Sequence, residues 1–214
     1  MAYAPTTSGP APMRRRDWQR EQTRLDLAFA AFELAREEGL ANVRVPQIAE
    51  AVGVSTRTFN NYFSSKEAAI VWPTTLRGAR MAGDLAARPD GEPLAEALIE
   101  VVAGQYGPAG QEGMPAGWLD GVRTLVAAEP ALHGEYLKAQ AVGERALAEV
   151  IARRTGFAVG DLEPLLVAGM VVASERAAVL HWFRAKSPTP LVDEVRVALR
   201  MAVGGMAVAT TPLV

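Results

Sequence analysis

The 214 residues contain no cysteine, which excludes disulfide frameworks, thiolate metal sites and cysteine nucleophiles. Histidine is almost absent, with only His133 and His181. No paired-His metal motif, no Gly-rich phosphate loop and no His-assisted nucleophile can be placed by spacing, so neither an enzyme nor a metal or cofactor site is expected. Long apolar runs are missing as well. The most apolar stretches, Leu165–Ala173 and Met201–Ala209, are nine residues each, about half of what crossing a bilayer requires. Met1–Met13 lacks the apolar segment of a secretory signal, and the expectation is a cytoplasmic protein away from membranes. No convincing segment alternates β-branched and aromatic residues, so strands are not expected either.

What remains is ordinary globular material, 50% hydrophobic and 21% charged, in which Ala, Leu, Glu and Arg dominate between breaks. The fold class read from this is all-α: an N-terminal three-helix domain containing a helix-turn-helix, then a C-terminal helical bundle. A first helix is expected from Asp17, as N-cap, to Glu38, with Gly39 ending it and Leu25, Ala28, Phe29, Phe32 and Ala35 forming its buried stripe. Short helices follow over about Pro46–Val52 and up to Tyr62. Longer ones are expected over Lys66–Ala87, Leu94–Tyr106, Ala116–Ala128, Ala131–Arg154, Asp161–Lys186 and Leu191–Val208. Gly104, Gly107, Gly110 and Gly113 recur every third residue, too briefly for a collagen helix, and mark a loop.

Charge is unevenly placed. Through Lys66 there are nine Lys/Arg against seven Asp/Glu, so this part carries +2 and the remainder −4. Arg14, Arg15, Arg16, Arg20 and Arg24 face only Asp17 and Glu21 in the first 24 residues. Such an arm suits a phosphate backbone, although a solvated tail has the same composition. The expected division is a flexible basic arm over 1–16, a DNA-binding domain over 17–65 and an effector-binding and dimerisation domain over 66–214.

Val45–Tyr62 is the most informative stretch, two helices too short to stand alone joined by a three-residue turn. Ile48, Ala49 and Val52 give the first an apolar face, Gly53 permits positive φ, Val54 plugs the gap and Ser55 caps the second helix. Phe59 and Phe63 face inward. Rotation by about 100° per residue puts Arg57, Asn60 and Asn61 opposite Phe59, with Thr58 at the flank. Arg reads guanine O6 and N7, Asn reads adenine N6 and N7, and Thr touches a thymine methyl or a phosphate. Arg44, Ser55, Thr56, Tyr62 and Lys66 complete the expected DNA-binding set, chiefly toward phosphates.

The run from Ile48 to Glu67, read Ile-Ala-Glu-Ala-Val-Gly-Val-Ser-Thr-Arg-Thr-Phe-Asn-Asn-Tyr-Phe-Ser-Ser-Lys-Glu, resembles the DNA-binding domain of tetracycline-repressor (TetR) family regulators. With Ala31, Phe32 and Gly39 the likeness covers about residues 20–70. It implies a homodimeric repressor with three N-terminal helices for DNA and about six C-terminal helices for dimerisation and effector binding. Asn60 departs from the family pattern, which commonly has an aromatic residue there, and is expected to read a base or bond a phosphate itself. The wording around Asn60 is also similar to an actinobacterial subgroup with acyl-thioester-like effectors, a likeness that assigns no ligand.

The partners expected are therefore a double-stranded DNA operator, a second copy of the chain and a small lipophilic effector. Aromatic and Met residues among polar groups are the expected cavity lining: Trp72, Tyr106, Met114, Trp118, Arg123, His133, Tyr136, Met170, Glu175 and Trp182. Each is also compatible with plain core or surface. Glu175 beside Arg176 reads as a polar anchor or an internal ion pair. Pairing through the last two helices is expected along Val171, Ala178, Val179, Trp182, Val195, Leu199 and Val203. The alternative is a helix-turn-helix DNA-binding or interaction protein without effector control.

Overall fold

The computed structural model describes residues 15–108, 110, 114, 115 and 117–204. Most of the basic arm, and the end of the last helix expected to reach Val208, lie outside the described residues. Those described form helices α1 (Arg15–Glu38), α2 (Val45–Ala51), α3 (Thr56–Tyr62), α4 (Lys66–Ala87), α5 (Leu94–Gly104), α6 (Trp118–Ala128), α7 (Pro130–Thr155), α8 (Leu162–Ala185) and α9 (Leu191–Val203), with no strand among them. Two compact units divide between Ala69 and Ile70, within the first turns of α4.

In the first unit the buried stripe of α1 is Leu27, Ala28, Ala31, Phe32 and Ala35, which repeats at three and four residues as a helix packed on one side must. The expected stripe is corrected at two positions: Leu25 and Phe29 are only half-buried, because Leu27 and Ala31 take the centre of the face. Asp17 lies inside the first turn of α1 and is not its cap, since the helix starts two residues earlier.

The turn after α2 is chemically specified. Gly53 adopts φ +73°, Val54 N donates to Ala49 O at 2.9 Å and Gly53 N donates to Glu50 O at 2.9 Å. This pair of bonds is a Schellman ending, which satisfies carbonyls that a helix end otherwise leaves bare. An added Cβ on Gly53 would meet nothing within 4 Å, so the glycine is there for its dihedral and not for space.

The second unit centres on a core from α4, α5, α7, α8 and α9 that includes Leu85, Val102, Leu147, Ile151, Ala168 and Val195. Helix α8 packs most extensively on α9 and α7. Its length and composition would suffice to cross a bilayer, but it carries Glu175 and Arg176 near its middle and buries Ala168, Val171 and Ala178 against neighbours. Helices α4 and α7 meet without side chains between them: a Cβ on Gly78 would fall 2.6 Å from the Gly143 Cα, and one on Gly143 would fall 2.9 Å from the Gly78 Cα.

Val171, Ala178, Val195 and Leu199, expected on a pairing face, are buried at 7%, 4%, 0% and 2% exposure inside the chain itself. At these four positions the expectation is corrected, because their side chains pack within one chain, whereas Val179 and Trp182 are half-buried and Val203 is exposed. The apolar side chains that α8 leaves in solvent are instead Leu162, Leu165, Leu166 and Met170, and those of α9 are Val197, Met201 and Val203.

Candidate nucleic-acid interface and effector cavity

Helix α3 is held by one side and displays the other. Phe59 is fully buried and its ring lies 5.7 Å from that of Phe63. Removing such a side chain from water is worth about 1.5–3 kcal/mol, which orients a helix of only seven residues. Ser55 Oγ accepts from Thr58 N at 3.1 Å, which caps the helix, and lies 2.9 Å from Thr58 Oγ1. Thr56, Arg57, Asn60 and Asn61 are exposed. No ion pair ties down Arg57 among the described residues, leaving its planar donor fork in water.

The flanking residues are more committed. Arg44 is exposed and ends the approach to α2, its backbone N donating to Gln47 Oε1 at 2.8 Å. Tyr62 is half-buried with the Arg24 guanidinium 5.8 Å from its ring centroid. Lys66 Nζ donates to Leu40 O at 2.5 Å and to Val43 O at 2.9 Å. The ammonium thus bridges two carbonyls of the turn between α1 and α2, and keeps one of its three N–H donors for another acceptor.

The second site is a cavity of about 250 Å³ bounded by α4, α6, α7 and α8, with Tyr106 from the end of α5. Leu119, Val122, Val126, Val179 and Leu180 form its apolar wall. Across from them sits a charged cluster. Tyr106 Oη donates to Glu175 Oε1 at 2.5 Å, Arg77 Nε is 3.8 Å from the same oxygen, and the Arg77 guanidinium lies 5.2 Å from the Tyr106 ring centroid. Arg77 also bonds the Tyr136 hydroxyl, which accepts from Gln140 Nε2 at 3.1 Å.

Burial pulls the Arg77 pKa down, but Tyr106, Glu175 and Tyr136 together outweigh it and the net shift is upward, so the guanidinium stays charged. Burial drives the Tyr106 phenol well above its usual value, with Glu175 adding to the rise. Tyr136 is raised by the same loss of solvation. Three further lining residues each hold a buried polar atom with no hydrogen-bond partner among the described residues: Thr74 Oγ1, Trp118 Nε1 and Gln140 Oε1.

Residues 29–69 match the family described as bacterial regulatory proteins, tetR family, and residues 92–207 match the MftR C-terminal domain. The HTH-type transcriptional regulator TcmR of Streptomyces glaucescens is 32% identical over 182 residues, 83% of this chain and 79% of that protein. The chain belongs to the TetR family. Solved structures with the same fold include the fatty acid degradation regulator FadR of Bacillus halodurans, with TM-score 0.58 and 18% identity over 86% of this chain and 96% of that one. Another is Thermus thermophilus FadR, a TetR-family repressor in complex with lauroyl-CoA, with TM-score 0.56 and 22% identity over 89% and 98%. A third is Bacillus subtilis FadR in complex with stearoyl-CoA, with TM-score 0.57 and 18% identity over 85% and 98%.

Of the residues that the sequence proposes for an effector, this TetR-family chain brings Tyr106, Trp118, Arg123, His133, Tyr136 and Glu175 together around the one cavity. Met114 lines a separate cleft of about 70 Å³. Met170 lines an apolar groove between α5, α8 and α9. Trp182 is half-buried, with Nε1 donating to Thr189 O at 2.5 Å, and Trp72 is half-buried on α4. Neither tryptophan is among the lining residues. The partner of Glu175 is Arg77 from α4 and not its neighbour Arg176, which is exposed, because successive helical residues point about 100° apart.

Sequence reasoning misses Arg77, Thr74 and Gln140. Thr74 and Arg77 are three apart on α4 and Tyr136 and Gln140 are four apart on α7, so each pair shares a helix face. Polar residues at that spacing on one helix face are the signal that was available.

Proposed function

We propose that the chain is a homodimeric repressor that holds a palindromic operator and leaves it when a small lipophilic effector fills the cavity beside Arg77 and Glu175. The observation that supports DNA reading best is the exposed set Arg57, Asn60 and Asn61, backed by a Phe59 that has no freedom to turn. In this reading Arg57, Asn60 and Asn61 contact base edges, Arg44, Ser55, Thr56, Thr58 and Tyr62 face the backbone, and the third Lys66 N–H meets a phosphate. Residues 17–65 serve DNA and 66–214 serve effector and partner.

Two copies are needed because two half-sites one turn apart, about 34–36 Å, match a two-fold dimer. The exposed stripe Leu162, Leu165, Leu166 and Met170 on α8, with Val197 and Met201 on α9, supplies an apolar face for it. Helix α4 starts at Lys66 and carries Thr74 and Arg77 two to three turns later. Effector occupancy that prefers one placement of α4 would thereby shift the population of operator-competent dimers.

A mobility-shift titration on the DNA upstream of the chain's own gene tests this reading, paired with the mass in solution. A saturable shift by a dimer, weakened by a lipophilic effector, is expected. A monomer with no affinity for any duplex would overturn it, and a shift that no effector moves would leave a DNA binder without effector control.

A further inference from the structure

Helix α1 begins well before the body it packs on. Its buried stripe is Leu27, Ala28, Ala31, Phe32 and Ala35. Continued toward the N-terminus at the same three- and four-residue spacing, that stripe reaches Arg24 and then Arg20, so both sit on the face that α1 turns to the rest of its unit. Arg24 is half-buried, with its guanidinium 5.8 Å from the Tyr62 ring centroid. Arg20, about 6 Å further along the axis, is exposed and forms no ion pair among the described residues. A cation on the inward face of a helix, with no protein over it, stands where α1 has outrun the domain.

Tyr62 tells which side that is. It is the last residue of α3, so Arg24 joins α1 to one end of the helix that displays Arg57, Asn60 and Asn61, and Arg20 lies past the junction. The acids of these turns are Asp17 and Glu21. Glu21 Oε2 is 3.7 Å from Arg24 Nη1 and offsets that charge. Asp17 is exposed one turn before Arg20, in the first turn of α1, where a carboxylate suits the helix dipole. Arg24 is thus committed to its neighbours, whereas the planar donor fork of Arg20 is open, and such a fork matches a phosphate in shape and charge.

We propose that the N-terminal turns of α1 are a DNA-contacting element outside the helix-turn-helix: Arg20 binds a backbone phosphate flanking the one that Tyr62 meets, and Arg24 is a positioning residue that fixes the Tyr62 ring. The proposal rests on the repressor reading for the duplex that α3 holds. A phosphate contact of this kind adds affinity and register without reading sequence.

The test is fluorescence anisotropy of the full-length protein with a labelled duplex from upstream of its own gene, over about 50–200 mM salt. Arg20→Gln is expected to lower the slope of log affinity against log salt by about 0.9, the share of one phosphate, and to weaken binding several-fold. Asp17→Asn, which removes an acid from the same face, should strengthen binding. Arg36→Gln makes the same change of charge at the far end of α1, beside Glu33, and should leave the slope unmoved. Arg24→Gln should weaken binding in the natural chain but add little once Tyr62→Phe has removed the hydroxyl, and Arg24→Lys, which keeps a cation at the ring, should restore it. Melting curves establish that the variants are folded. A slope unmoved by Arg20→Gln, an equal change from Arg36→Gln, or independent effects of Arg24 and Tyr62 would overturn the proposal. Tight operator binding with an unmoved slope would discard the α1 contact and keep the repressor, whereas no affinity for any duplex would discard both.

Discussion

Arg57, Asn60 and Asn61 on α3 stand in water, where their polar atoms are solvated whether or not DNA is present. Thr74 Oγ1, Trp118 Nε1 and Gln140 Oε1 are buried inside the protein, out of reach of bulk solvent. An exposed polar face costs little in the free protein and takes its orientation from a single anchor, Phe59. A polar atom withdrawn from bulk water depends on its neighbours, so a change among them costs more than the same change at the surface. The same residue types, amide and hydroxyl, therefore stand open to solvent in one place and are withdrawn from it in the other.

The largest effect that would sharpen this contrast is expected from Glu175→Ala. It strips Arg77 of its carboxylate and Tyr106 of its acceptor in the interior, and should cost about 3–5 kcal/mol, measured by urea unfolding. Arg57→Ala, at the exposed surface, should leave the urea midpoint within error while weakening operator binding and relaxing preference at one base pair by about 1–3 kcal/mol. Equal losses of stability from both changes would erase the distinction.

Lys66→Met breaks the rule on the DNA side, because this cation is spent on two carbonyls. Its loss should destabilise by about 1.5–3 kcal/mol, the range for a hydrogen bond to a charged group, and lower the salt dependence of operator binding by about one unit of slope. Unchanged stability would show the carbonyl bridge to be dispensable. Gly143→Ala tests the crossing of α4 and α7 and should cost about 1–3 kcal/mol as an overpacked contact.

The smallest effect is in pH. The folded pKa of Tyr106 is raised, mainly by burial, so the folded state keeps its phenol proton where the unfolded chain loses it. Its contribution is complete below the unfolded value near 10 and is lost as pH rises above that toward the folded value. Stability should fall with alkaline pH, and Tyr106→Phe should flatten that fall.

The two regions also differ in how far the sequence discloses them. Helix α3 is readable because anchor, cap, turn glycine and reading residues all lie within ten positions, from Gly53 to Tyr62, and one angle of rotation sorts them. The cavity is assembled from α4, α6, α7 and α8, which are far apart in the chain. Aromatic and charged residues pointed to Tyr106, Trp118, Arg123, His133, Tyr136 and Glu175 one by one, but the pairing of Glu175 with Arg77 spans almost a hundred positions and has no local signature. Trp72 and Trp182 show the converse. Their composition suits a binding site, whereas packing alone determines that Trp182 spends its indole N–H on Thr189 O.

The meeting of Gly78 with Gly143 leaves α4 and α7 in bare backbone contact. Two rods touching at one point without cushioning side chains have no slack for closer approach, and Arg77 with Tyr136 and Arg154 with the carbonyls of Leu85 and Arg88 tie them on either side. A push delivered to α4 near Thr74 or Arg77 therefore finds no compressible layer at the crossing and falls on the bonds beside it.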